Sequence, residues 1–154
     1  RTGVSCTPEH YARLAEIPRI NGVKEASGDI SLVSRTRHLC GDALNIWSGN
    51  DDQTLPMLAL GAKGVISVAS NIVPQVMATL CAAALSGDFF TARAIHEAYA
   101  GLFDALFYEV NPIPVKTAMQ MLGWDSGRLR LPLCPIAEGN AAKLQNCLES
   151  LQLL

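Results

Sequence analysis

The chain has 154 residues, of which 49% are apolar, 17% charged and 6% aromatic, with a formal net charge of -2. This length is typical of about one domain, and the apolar content excludes an intrinsically disordered chain. The net charge gives no electrostatic support for nucleic-acid binding, and so few aromatic residues argue against a surface on which bases stack. We therefore expect no nucleic-acid partner.

Two features bear on the compartment and on membrane insertion. The five cysteines are odd in number and widely spaced, with no Cys-x-x-Cys pair, which favours reduced thiols in a cytoplasmic protein over disulfides or a zinc site. The uncharged stretch 65–86 is long enough to cross a bilayer, but Asn71, Pro74 and Gln75 interrupt it. We interpret it as a buried strand, a turn and a buried helix, and we expect no membrane partner.

Helix and strand signals alternate over the first 86 residues or so. Thr7, Pro8 and Glu9 have the residue types of a helix N-terminus, and this helix ends near Pro18. Predicted strands cover 20–24, 43–47 and 64–68, and further helices begin at Asp29, near Asp52 and at Pro74. The alternation predicts an α/β fold in which parallel strands are connected by right-handed crossovers.

From Gly87 onwards only helical patterns remain. The first of these begins at Asp88 and has its apolar residues at helical spacing. Two more helices follow a proline-rich break at 111–114, with an extended link at 128–135 between them. We therefore predict two parts, an α/β portion over residues 1–86 and a small helical domain over residues 87–154.

Lys24 is the most informative candidate for chemistry. Active sites of α/β proteins lie at the carboxyl ends of the strands, and Lys24 ends an apolar strand in a chain with only four lysines. In a partly dry site an amine is more often uncharged, and it can then attack a ketone and form a Schiff base. The alternative is an ordinary ion pair with Glu25, Asp29 or Asp51. Position alone leaves both interpretations open.

Other residues near the predicted strand ends give weaker signals. Gly28 and Gly49 permit close approach of a ligand to the backbone, but each equally suits a simple turn. Asp51 and Asp52 lack a third ligand at metal-binding spacing, so we interpret them as acids in the first turn of a helix and predict no metal site. The three histidines are isolated and are expected to be core or surface residues.

Several short motifs occur in order along the whole chain. They are RTG at 1–3, VKEASGD at 23–29, SGND at 48–51, GVISV at 64–68, NPIPVK at 111–116 and LRLP at 129–132. Together they resemble the dihydrodipicolinate synthase (4-hydroxy-tetrahydrodipicolinate synthase) family. The resemblance implies a (β/α)8 TIM barrel followed by a small α-helical domain. This chain looks like the C-terminal half, with three parallel barrel strands, their helices and the helical domain.

The resemblance also implies a reaction and its residues. The family condenses pyruvate with L-aspartate 4-semialdehyde through a lysine Schiff base, a lyase reaction of lysine and diaminopimelate biosynthesis. Lys24 matches the Schiff-base lysine, and Arg1 matches the arginine that binds the carboxylate of the semialdehyde. Gly49 matches a glycine of the pyruvate pocket, and Ile66 matches the residue whose backbone lies against bound pyruvate. The family needs no metal, nicotinamide or pyridoxal cofactor, and it forms homotetramers.

The chain is too short for a complete barrel, which takes about 250 residues. We therefore expect a fragment that is inactive alone and is completed by more of the same polypeptide or by another chain. The family's proton-relay tyrosines belong to the missing half, and Tyr11, Tyr99 and Tyr108 do not match them. Two alternatives stay open. One is another pyruvate-dependent Schiff-base aldolase such as N-acetylneuraminate lyase, against which Arg1 argues. The other is a non-catalytic half-barrel subunit, which the missing strands favour.

Overall fold

The computed structural model describes residues 3–154, so that Arg1 lies outside the described residues. Within them the α-helices are α1 (Pro8–Ala15), α2 (Ile30–Cys40), α3 (Thr54–Ala59), α4 (Pro74–Leu85), α5 (Phe89–Ala105), α6 (Ile113–Met121) and α7 (Glu138–Ser150). The strands are β1 (Gly22–Glu25) and β2 (Asn45–Ser48), and short 3₁₀ helices cover Gly41–Ala43, Asp51–Gln53 and Ala69–Asn71. The predicted alternation of helices and strands is confirmed as far as β2.

Side-chain caps define several helix N-termini. The Thr7 hydroxyl accepts a hydrogen bond from the His10 N–H at 3.4 Å, and His10 Nδ1 accepts one from the Thr7 N–H at 3.1 Å. The Asp29 carboxylate accepts from two N–H groups at the start of α2, and the Asp88 carboxylate accepts from one in α5. Such bonds pair N–H groups that have no partner within the helix. The predicted helix starts at these positions are confirmed.

The two strands form a parallel sheet with two different faces. Side chains alternate along a strand, so residues of β1 and β2 divide into two sets. One set points toward α2 and α3, where Ile46 packs with Val33 and Met57. We call this set the covered face (Val23, Glu25, Ile46 and Ser48) and the other set the open face (Gly22, Lys24, Asn45 and Trp47).

The predicted third strand at 64–68 is wrong as a strand. It makes one parallel bridge, between Ser48 and Val65, with hydrogen bonds from Ser48 N to Gly64 O at 2.9 Å and from Ile66 N to Ser48 O at 2.8 Å. The segment has an extended neighbour on one side within residues 3–154, and the chain then coils into the 3₁₀ helix Ala69–Asn71. Both effects stop the hydrogen-bond ladder after one bridge.

The largest apolar core lies among the helices of the second half of the chain. Leu102, Leu144 and Leu148 are fully buried in it, and Ile72 and Met77 pack into the same cluster. This core therefore contains residues from both sides of the boundary predicted after residue 86. The division into two domains at that point stays a prediction.

The stretch 65–86, which the sequence raises as a possible membrane span, contains the parallel bridge, a 3₁₀ helix and α4. Within residues 3–154, every helix is too short or too polar to cross a bilayer. The five cysteines are free thiols. Burial raises the pKa of Cys40, Cys81 and Cys147, which keeps these thiols protonated at neutral pH.

Candidate active site

A cleft of about 600 Å³ opens at the carboxyl ends of β1 and β2. Lys24 lines this cleft from β1, and Gly49 and Asn50 line it from the turn after β2. The third segment contributes Val68, and the connection between α5 and α6 forms a further wall. Lys24 thus lies where side chains from several separate segments of the chain converge, which is the arrangement expected of an α/β active site.

Gly49 is in direct contact with the stem of Lys24. Its N–H donates a hydrogen bond to the Glu25 carbonyl oxygen at 2.7 Å, which holds the two strand ends together. A Cβ atom at this position would lie 2.9 Å from Lys24 Cε and 2.5 Å from Ala26 Cβ, closer than such atoms normally approach. The missing side chain therefore makes room for the lysine. Lys24 and Gly49, named separately from the sequence, lie side by side in the structure.

Lys24 is not in the partly dry site that the sequence analysis expects. Its side chain is exposed, because it lies on the face of the sheet that the helices of residues 3–154 leave uncovered. The alternative of an ion pair also fails within these residues. Glu25 points to the covered face, Asp29 lies 3.6 Å from Arg35, and Asp51 bonds to backbone N–H groups. The amine is available to a ligand in the cleft.

The roles predicted for Ile66 and Arg1 stay predictions. The Ile66 side chain is 48% exposed, and Ile66 is not among the described residues that line the cleft. Its N–H is used by the bridge to Ser48. The third segment reaches the cleft through Val68 instead. Arg1 lies outside the described residues, and its role stays a prediction.

A buried hydrogen-bonded carboxylate lies directly behind Lys24, where the sequence suggested only an ion-pair partner. Glu25 is only 4% exposed. Its Oε2 accepts a hydrogen bond from the Tyr11 hydroxyl at 2.7 Å, and its Oε1 accepts one from the Ser27 N–H at 2.6 Å. Burial, and then the bond to Glu25, raise the pKa of Tyr11 far above its usual range. Strand alternation is the signal that could have placed Glu25 opposite Lys24.

Asp51 fixes another wall of the cleft. Its side chain is 1% exposed, and Oδ2 accepts hydrogen bonds from the N–H groups of Val68 at 3.0 Å and Ala69 at 2.9 Å. Asp51 is an acid of the first turn of the 3₁₀ helix Asp51–Gln53, as the sequence predicts, and its carboxylate also connects the end of β2 to the third segment. Asp52 remains exposed, as an acid of that turn. Within residues 3–154, no group of three or more His, Cys, Asp or Glu side chains is arranged to hold a metal ion.

Comparisons with known proteins give one consistent result for the whole chain. The family model described as the dihydrodipicolinate synthetase family matches residues 1–151. A Geobacter sulfurreducens protein named 4-hydroxy-tetrahydrodipicolinate synthase is 48% identical over 154 residues, which are 100% of this chain and 53% of that protein. An Archaeoglobus fulgidus protein of the same name is 45% identical over 154 residues, again 100% of this chain and 53% of that protein.

Crystal structures give the same result for the fold. Dihydrodipicolinate synthase from Thermotoga maritima matches with a TM-score of 0.96 and 44% identity, over 100% of this chain and 54% of that one. The Acinetobacter baumannii synthase, described as chloride-inhibited and complexed with pyruvate, matches with a TM-score of 0.97 and 38% identity, over 100% and 53%. The chain spans about half the length of the relatives it matches. Its assignment to their C-terminal half stays a prediction.

Proposed function

The chain belongs to the dihydrodipicolinate synthetase family, and from that premise we propose that it carries the Schiff-base lysine of a 4-hydroxy-tetrahydrodipicolinate synthase. The position of Lys24 is the observation that carries this proposal. Its stem lies against Gly49, and its amine lies in a cleft at the carboxyl ends of parallel strands. Both the fold and the cleft suit an amine that attacks a small keto acid.

In the proposed reaction Lys24 first activates pyruvate. The uncharged amine attacks the ketone carbon, a water molecule leaves, and an imine joins Nζ to the substrate. The protonated imine withdraws electrons, so that the methyl group of pyruvate loses a proton and an enamine forms. The imine provides the activation that other enzymes obtain from a cofactor, and we propose that this enzyme uses no metal, nicotinamide or pyridoxal group.

The second substrate then reacts with the enamine. The enamine carbon attacks the aldehyde of L-aspartate 4-semialdehyde, a carbon–carbon bond forms, and the aldehyde oxygen becomes a hydroxyl. The amino group of that substrate next attacks the imine carbon and displaces Lys24 as a free amine, which closes the ring. In this scheme Arg1 binds the carboxylate of the semialdehyde, and the backbones of Gly49 and Ile66 bound the pyruvate.

The open cleft supports the proposal that residues 1–154 act as part of a larger assembly. We propose that β1, β2, the segment 64–68 and their helices form part of a (β/α)8 barrel, to about residue 86, and that a helical domain follows. Relatives of about twice the length support this arrangement. Covering the open face removes water from around Lys24, which favours the uncharged amine. One relative is described as the first monomeric dihydrodipicolinate synthase variant, which supports an oligomer here, and the homotetramer that we propose rests on the family resemblance. The free cysteines suit the cytoplasm.

Borohydride trapping tests the proposal. We would join residues 1–154 to the part of the Geobacter sulfurreducens synthase that lies outside the match, and we call this the completed protein. After incubation with pyruvate and reduction, mass spectrometry should find the reduced adduct on Lys24. Lys24→Ala and Lys24→Arg should give no adduct, because neither provides a nucleophilic amine. Lys63→Ala, which removes an exposed lysine elsewhere, should leave the adduct unchanged.

The outcomes separate the alternatives. An adduct that persists in Lys24→Ala refutes the assignment of Lys24. A folded completed protein that forms no adduct supports a non-catalytic half-barrel subunit. If the adduct forms, a coupled assay with each aldehyde distinguishes a synthase, which uses L-aspartate 4-semialdehyde, from a relative of N-acetylneuraminate lyase, which uses an aldehyde sugar.

A further inference from the structure

Glu25 is an unusual residue to find behind a reactive lysine. It follows Lys24 in β1, so its side chain points to the opposite face of the sheet, where it is 4% exposed. A buried carboxylate is costly unless hydrogen bonds satisfy it, and a well-packed apolar side chain is often more stable in such a place. Within residues 3–154 none of the ion pairs involves Glu25. Stability alone therefore does not explain it.

The backbone and side chain of Glu25 are held at three points. Its carbonyl oxygen accepts from the Gly49 N–H at 2.7 Å, Oε1 accepts from the Ser27 N–H at 2.6 Å, and Oε2 accepts from the Tyr11 hydroxyl at 2.7 Å. The first bond fixes the strand end to the glycine against which Lys24 lies. The second fixes the turn after the strand. The third anchors the strand end to α1.

Tyr11, the hydrogen-bond donor to Glu25, is held in place by packing. It is 9% exposed and packs with Cys40 and Leu44 in the cluster beneath α1 and α2. A phenol on a packed helix is a well-defined donor, because its ring has few accessible rotamers. The hydrogen bond to Glu25 thus transmits the position of the helix layer to the end of β1.

We infer that Tyr11 and Glu25 are positioning residues, whose hydrogen bond sets the direction in which Lys24 enters the cleft. The inference rests on the proposed function of Lys24. Because the lysine stem is long, a small rotation of the strand end at Glu25 moves the amine by more than it moves the backbone. The stem also lies against the Gly49 backbone, where a Cβ atom would be 2.9 Å from Lys24 Cε. Covalent chemistry is sensitive to such displacements, because the attacking nitrogen must approach the ketone along a defined path.

Tyr11→Phe in the completed protein is the direct test. The substitution removes one hydroxyl from the covered face, and Tyr11 is not among the described residues that line the cleft. At saturating pyruvate we expect the rate of adduct formation on Lys24, per folded molecule, to fall about tenfold. The pyruvate concentration for half-maximal rate should change by less than about twofold, because the binding groups remain in place. Tyr99→Phe, the same change on α5, is the matched control and should leave the rate unchanged.

Substitutions of Glu25 give a second, independent measurement. Glu25→Gln keeps an oxygen for the Ser27 N–H and offers an amide N–H to the Tyr11 oxygen, so it should retain most of the rate. Glu25→Leu keeps the approximate size without any hydrogen bond and should lose at least as much rate as Tyr11→Phe. A merely structural role predicts a different result, in which each variant has a smaller folded fraction but an unchanged rate per folded molecule.

The results distinguish this inference from the function on which it rests. If the unsubstituted completed protein forms no adduct on Lys24, the proposed function fails and the positioning role fails with it. If that adduct forms, and Tyr11→Phe and Glu25→Leu form it at the unsubstituted rate per folded molecule, only the positioning role is refuted. A slower rate in both variants, with recovery in Glu25→Gln, supports the positioning role.

Discussion

The covered face and the open face of the β1–β2 sheet have the same backbone but very different surroundings. On the covered face Ile46 is 2% exposed and Ser48 is fully buried, beneath α2 and α3. On the open face Lys24 is exposed and Trp47 is only half-buried. Residues 3–154 therefore complete the face that stabilises the sheet and leave uncovered the face that carries Lys24. The packing that stabilises the sheet and the proposed chemistry thus lie on opposite faces.

Covering the open face with the missing part of the barrel should have the largest effect on synthase turnover. We expect the 154-residue chain alone to show no detectable synthase turnover, because Lys24 is exposed to solvent and one wall of the cleft is open. The completed protein should turn over pyruvate and L-aspartate 4-semialdehyde in a coupled assay. Lys24→Ala in the completed protein is the control for background activity. Equal turnover by the chain alone and the completed protein would show that the open face is already sufficient.

Substituting one isoleucine on the covered face and one in the exposed third segment should change the free energy of unfolding by different amounts. Ile46→Ala in the 154-residue chain should lower the free energy of unfolding by about 2–5 kcal/mol, because it leaves a cavity between Val33 and Met57. Ile66→Ala should lower it by less than about 1 kcal/mol, because 48% of that side chain is already exposed. Urea unfolding measures both values. Equal costs would mean that the uncovered segment is packed as tightly as the covered face.

In the completed protein the cost of Ile66→Ala should increase while that of Ile46→Ala stays the same. We expect the added half of the barrel to cover Ile66, which is 48% exposed here, and to leave the covered face unchanged. If both costs stay unchanged on completion, the added half does not pack against the third segment.

Local signals explain how much of this fold could be predicted. The caps at Thr7, Asp29 and Asp88 and the short apolar runs of β1 and β2 are encoded within a few residues of each element. Pairing beyond β2 is not local. The segment 64–68 has the composition of a strand, but a ladder also needs neighbours, and residues 3–154 provide one on a single side. The sequence therefore predicted an element that this chain alone does not form.

The residues of the site also divide into those that local sequence signals identify and those that depend on tertiary packing. Lys24 and Gly49 could be identified because strand ends and the family motifs mark them, and the structure places them in contact. Glu25 could not, because its hydrogen bond to Tyr11 joins residues 14 positions apart in sequence and depends on how α1 packs. The exposure of Lys24 could not be predicted either, since it depends on what covers the open face.

The smallest expected effect is a change in the stability cost of Tyr11→Phe at alkaline pH. It tests whether the Tyr11 hydroxyl is buried against the covered face. Burial raises the pKa of Tyr11 above its ordinary value of 10.0, with the bond to Glu25 as the second cause. The protonated phenol thus stabilises the folded state at lower pH, and this contribution is lost as the pH rises above 10.0 and the unfolded phenol ionises. At pH 7 Tyr11→Phe should cost about 1.5 kcal/mol, and urea unfolding should show that cost shrinking above pH 10.0. Ile46→Ala removes no titratable group, so its cost should stay constant over the same range. A constant cost for Tyr11→Phe as well would place the Tyr11 hydroxyl in solvent and remove the anchor between α1 and the covered face.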